Sequence, residues 1–100
     1  MTFAATLLED RRLSILLVLE QTPGYSTNAY LLQTAIDQIY GHVASADQVK
    51  TDIAWLAEQQ LVTVAEISRV TLAKLTARGA DVAAGRCVVP GVKKRGPHGA

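Results

Sequence analysis

Cysteine is nearly absent: Cys87 stands alone in 100 residues. A single thiol cannot close an internal disulfide, which fits a reducing, cytoplasmic setting rather than a stapled secreted fold. Beside Val88 and Val89 it reads as a small packed apolar side chain, not a nucleophile. Aromatics are also scarce, five in all, so Leu, Val, Ile and Ala must fill the core. No run approaches the ~20 apolar residues of a membrane span. Ile15–Leu19 is too short for a signal-peptide core, and Glu9 and Asp10 stand where positive charge belongs. One Cys and two distant His cannot build a zinc site. There is no phosphate-binding glycine loop, and Ser26, Ser45 and Ser68 lack any motif that would make one a nucleophile. With no catalytic constellation, the expectation is a protein that is not an enzyme and uses no cofactor or metal.

Net charge is only +1 and discriminates little, but its distribution is uneven. Residues 1–60 carry seven acids against three bases, a balance of −4; residues 61–100 carry two against seven, a balance of +5. A basic C-terminal half suits contact with phosphate, and equally a solvated tail without a partner.

One hundred residues make one small domain. Its most informative stretch is Ser45–Val62. Val49, Ile53 and Leu56 fall on one face at helical spacing. Ser45 is a good N-cap, and Gln48, three residues later, completes a capping box. After Gln60 the pattern turns β-branched, so the helix runs straight into a strand. A first helix is expected over 2–21, with Leu13, Leu16 and Leu17 on its apolar face and Thr22-Pro23-Gly24 as its stop. Phe3, Leu7 and Leu8 extend its apolar stripe backwards. That surplus surface suits either a dimer contact or packing against the chain's own C-terminal segment. A second helix is expected over Asn28–Tyr40, capped by Ser26 or Thr27, with Gly41 ending it in a left-handed conformation. His42, in the turn that follows, suits either a phosphate contact or an ordinary surface position. Residues 61–67 and 70–76 read as two strands around Ser68-Arg69, a short hairpin whose turn type the residues do not specify.

Val49, Asp52, Ile53, Leu56, Leu61 and Val62 stand as in the pattern V-x-x-D-L-x-x-L-x-x-x-G-L-V. The chain departs from it at Gln60, where the pattern has Gly. Leu75, Thr76, Gly79, Val82, Ala83 and Gly85 match an LTxxGxxVAxG ending. In these two segments the chain resembles winged helix-turn-helix domains of the MarR, ArsR and PadR type over roughly residues 10–86. The resemblance implies a mainly α fold with a small β-hairpin: a three-helix core, a two-stranded wing at 61–76, and a short C-terminal helix near 77–85. The domain would span residues 1–87, and residues 88–100 would form a basic, Gly- and Pro-rich tail, irregular from Lys93 onward. The stretch from Thr22 to Val62 and the ending LTARGADVAAGR also resemble small winged-helix-like proteins of Mu-like prophages.

The resemblance implies a DNA-binding protein of bacterial or prophage origin acting in transcription regulation, with helix 46–59 in the major groove of double-stranded DNA. Gln48, Lys50, Thr51 and Ala54 would lie on its exposed face. Gln48 could read adenine, Thr51 a thymine methyl or phosphate, and Lys50 a guanine or phosphate. Arg69 at the wing tip could enter a minor groove or touch the backbone, and Lys93, Lys94 and Arg95 in the tail could add phosphate contacts. A homodimer through Phe3, Leu7 and Leu8 of the first helix would supply two recognition helices. Against this, Asp47, Asp52 and Glu58 outnumber the single base of the recognition helix. The alternative is a protein-protein interaction module in phage assembly or DNA handling, without sequence-specific DNA binding. Trp55 would then be an anchor for the partner rather than a core-edge residue under the wing.

Overall fold

A computed structural model describes residues 2–96. In chain order it contains α1 (Phe3–Gln21), β1 (Ser26–Asn28), α2 (Ala29–Tyr40), α3 (Ala46–Glu58), β2 (Val62–Ile67), β3 (Val70–Leu75) and α4 (Ala77–Ala83). The three strands form one antiparallel sheet in the order β1-β3-β2. This is a winged helix-turn-helix fold.

Local signals account for most element boundaries. Thr2 caps α1, its hydroxyl accepting from the Ala5 amide. The Ser45–Gln48 capping box forms in full: Gln48 N donates to Ser45 Oγ, and Ser45 N donates to Gln48 Oε1. Gly41 ends α2 at φ 72°. Thr76 caps α4 through Oγ1 to the Gly79 amide. Gly79 itself leaves no space for a side chain: a Cβ there would stand 2.0 Å from the Leu61 carbonyl oxygen.

Two expectations change here. The two-stranded wing forms as expected from β2 and β3, but the sheet is larger than the wing. Ser26–Asn28 pairs with Leu72–Lys74 to add a third strand, and Asn28, not Ser26 or Thr27, caps α2 by accepting from the Leu31 amide. A three-residue strand carries no periodicity of its own; only its distant partner creates it. Nor is α1 one-sided. All seven residues from Leu13 to Leu19 are buried. α2 and β3 cover one side, and α4 and the segment after it cover the other. A helix buried all round needs no apolar stripe.

That segment is the largest departure. The chain after Gly85 does not leave the domain at residue 87. Val89 and Val92 join the buried core, and the backbone amide of Lys93 donates to the Glu9 carbonyl at 3.2 Å. Each buried valine contributes about 1.5–3 kcal/mol relative to exposure. Residues 86–96 therefore form a strap along α1.

Candidate nucleic-acid interface

The face of α3 opposite its buried residues carries Asp47, Thr51, Ala54 and Glu58, all exposed. Val49, Asp52, Ile53 and Leu56 point inward. The inward group includes a carboxylate. Asp52 is 2% exposed and accepts a two-point contact from Arg11 of α1, Nε to Oδ2 at 2.5 Å and Nη2 to Oδ1 at 3.2 Å. It staples α1 to α3. The acid that seemed to burden the recognition helix is thus neutralised inside the domain, and only Asp47 and Glu58 remain on the surface.

The expected site residues fall into three groups. Lys50 and Arg69 come together: they line one cleft of about 170 Å³ with Ala29 and Tyr30 of α2, Ala46 of α3, and Val70 and Thr71 of the wing. Thr51 and Ala54 lie on the exposed stripe beside it. Gln48 would read adenine with an oxygen that already accepts one bond. A two-point contact needs both its oxygen and its NH₂ group, and the oxygen is held in the capping box.

The tail bases form the third group, and two of them have partners within the domain. Lys93 Nζ lies 3.4 Å from Asp10 Oδ1. Arg95 donates to the Ala83 carbonyl at 3.2 Å and lies 3.8 Å from Glu20. Both are engaged in holding the strap to the domain, so residues 93–96, irregular as expected, lie against it rather than free of it. Lys94 remains exposed. The end of the expected tail, residues 97–100, lies outside the described residues. Among the described residues, Lys50, Arg69, Lys74 and Lys94 are the lysines and arginines with neither ion pair nor side-chain hydrogen bond.

Two other open readings resolve. Trp55 is a core-edge residue, but under the strap rather than the wing. The Arg12 guanidinium lies 3.9 Å from its ring centroid, and Arg12 Nη1 donates to the Gly91 carbonyl at 2.9 Å. A Cβ on Gly91 would stand 2.6 Å from Trp55 Cζ2, so glycine lets the strap close over the ring. His42 is not the exposed surface residue that its turn position suggested. It is 12% exposed, and its Nε2 lies 2.6 Å from Asp10 Oδ2. Phe3 and Leu7 are exposed, at 76% and 44%, and Leu8 is half-buried.

At the wing tip, Ser68 and Arg69 both adopt positive φ, 51° and 66°. With Ile67 opposite Val70, this is a two-residue hairpin of the kind that usually carries Asn-Gly. The turn fits the strands' twist at the cost of strain in two non-glycine residues. Tyr30 was not anticipated. It follows the cap of α2 by two residues and is 75% exposed. The available signal was an aromatic off the apolar Leu32–Ile36 face of its helix.

With this geometry in hand, comparison with known proteins places the chain. It is 48% identical over 92 residues to the uncharacterized protein gp26 of Escherichia phage Mu, covering 92% of this chain and 94% of gp26. The chain belongs to the gp26 family of phage Mu. An uncharacterized protein of Haemophilus influenzae is 39% identical over 64 residues, covering 64% of this chain and 61% of that protein. No family model matches. A chain in the complex structure of hsRosR-S1 superposes with a TM-score of 0.68 at 21% identity, over 80% of this chain and 70% of that one. That likeness is one of fold. The gp26 family therefore has a winged-helix scaffold, and no helix among the described residues is long and apolar enough to cross a membrane.

Proposed function

We propose that this member of the gp26 family binds duplex DNA as a regulator encoded by a prophage of the Mu type. The observation that carries the reading is the convergence of Lys50 and Arg69. Both are unengaged cations, they come from separate elements, and they meet at one cleft beside the exposed stripe of the recognition helix. Burial of Asp52 against Arg11 takes one of the three acids off this face, leaving Asp47 and Glu58 on it. Thr51 and Ala54 offer small contacts to base edges, including the thymine methyl. With so few cations, affinity is modest, and sequence preference depends on these short side chains.

The protein acts as a homodimer through Phe3, Leu7 and Leu8. These three cluster on one side of α1, and the exposed pair Phe3 and Leu7 lies beyond the part of the helix that the domain covers. Light scattering at ~100 µM, where modest interfaces associate, tests this. A monomer mass there removes the dimer.

The decisive experiment is fluorescence anisotropy of a labelled mixed-sequence duplex at two salt concentrations. Binding that weakens steeply with salt is expected. No binding at the lower salt overturns the proposal. It would favour the second reading, a protein-interaction module in phage assembly or DNA handling. A specific observation supports that reading: Leu31 and Ile39 expose 56% and 61% of their surface on α2 and flank an apolar groove against α1.

A further inference from the structure

We infer that the cleft between α2, α3 and the wing tip is a clamp for a single backbone phosphodiester, with Tyr30 as its third arm, and that it reads no base. This deepens the DNA-binding reading and rests on it.

The chemistry of the walls points to an anion. Lys50 and Arg69 are donors only. Tyr30, from a third element, lines the same cleft, and its hydroxyl can supply a neutral donor. The Thr71 hydroxyl is already committed, donating to Glu66 Oε1 at 2.5 Å. The rest of the lining is Ala29, Ala46 and Val70. Small alanines at the starts of α2 and α3 keep the space open, and the apolar walls offer no acceptor. Most base edges mix donors and acceptors and would leave polar atoms unmatched here. A phosphodiester presents oxygens that only accept.

Position supports the same assignment. Asp47, Thr51, Ala54 and Glu58 occupy the centre of the exposed face of α3. Ala46 and Lys50, one turn apart, sit on its shoulder toward α2 and the wing. Lys50 therefore faces a neighbouring strand of backbone while Thr51 and Ala54 face the groove floor. The guanine contact considered for Lys50 from sequence becomes the competing outcome.

One group opposes the ligand. Glu66 holds its carboxylate beside Thr71, on the rim of the same cleft. It lowers the attraction for an anion, which gives the inference a test of sign.

The test compares wild type, Lys50→Ala, Arg69→Ala, the double variant, Tyr30→Phe, Tyr30→Ala and Glu66→Gln on two duplexes of unrelated sequence across a salt series. All substituted side chains are exposed, and thermal melts verify the fold. If the two cations share one phosphate, the double variant lowers the slope of log K against log salt by about 0.9, the value for one phosphate of B-DNA. Two separate contacts lower it by about 1.8. Tyr30→Phe and Tyr30→Ala are expected to weaken binding about three-fold to ten-fold, as for one neutral hydrogen bond, without changing the slope. Glu66→Gln is expected to tighten binding. All changes should be equal on both duplexes. A slope change near twice the single-phosphate value overturns the clamp. So does a loss at Lys50 confined to one guanine-bearing duplex, binding by both Tyr30 variants equal to wild type, or no gain from Glu66→Gln. In each of those cases wild type still binds DNA. Failure of wild type to bind either duplex overturns the DNA-binding reading and the clamp with it.

Discussion

Replacing Gln60 with glycine should stabilise the domain. Gln60 follows α3 at φ 64°, the left-handed region. Its amide donates to the Ala57 carbonyl, and the Leu61 amide reaches back to Leu56 at 3.0 Å. Together these bonds form a Schellman ending, and Leu56 and Leu61 supply its apolar contact, both fully buried. The backbone geometry is therefore that of the glycine found in the wider winged-helix pattern, adopted by a residue with a Cβ. Left-handed backbone costs an L-residue roughly 1–2 kcal/mol. Glycine removes that cost but gives back about 0.5–1 kcal/mol through its freer unfolded chain. The Gln60 side chain is exposed, and its useful contact, the carbonyl that accepts from Thr76 Oγ1 at 2.7 Å, is backbone and survives. The net gain is about 0.5–1 kcal/mol. For a domain of this size that raises Tm by about 2–8 °C. Circular dichroism melts and urea titrations measure it, and the midpoint should move at constant m-value. Gln60→Ala keeps the Cβ and should show no gain. A Gln60→Gly variant no more stable than wild type would refute the reasoning.

Arg11→Ala should cost about 3–5 kcal/mol by leaving the Asp52 carboxylate buried without its partner. Arg11→Met with Asp52→Leu should recover most of that loss in urea titration. Gly79→Ala should destabilise by at least about 2 kcal/mol, because the new methyl meets the Leu61 carbonyl rather than a yielding side chain. Arg69→Gly should raise the melting temperature by relaxing the wing turn while weakening DNA binding, so the two measurements move in opposite directions. Ending the chain after Cys87 removes Val89 and Val92 and should cost about 3–6 kcal/mol. Gly91→Ala should displace the strap more gently, read as a change in Trp55 fluorescence.

What was legible in the sequence is what is encoded locally. The capping box of α3, the left-handed Gly41 and the inward faces of α2 and α3 depend on residues three or four apart, and each stands where the spacing put it. What was hidden depends on contacts across the chain. Ser26–Asn28 becomes a strand only because Leu72–Lys74 lies beside it. The Pro and Gly content of residues 90–96 suggested a loose tail, yet composition does not reveal that Val89 and Val92 find the bare side of α1. The partners of Lys93 and Arg95 were hidden for the same reason, since Asp10 and Glu20 lie far from them in the sequence. In the candidate interface, Lys50 and Arg69 were identifiable as isolated bases on a helix and a turn. Their meeting with Tyr30 was not, because three elements must assemble before the cleft exists.

The strap carries a consequence for synthesis. α1 is made before the other described elements, and its belt from Leu13 to Leu19 needs cover on both sides. One side finds α2 soon after; the other waits for α4, Val89 and Val92, far along the chain. A nascent or truncated chain can form its helix-turn-helix and still present an uncovered leucine-rich flank to its surroundings. Residues 86–96 therefore cover a helix made long before them: until Val89 and Val92 are synthesised, that flank of α1 stays open to aggregation or proteolysis.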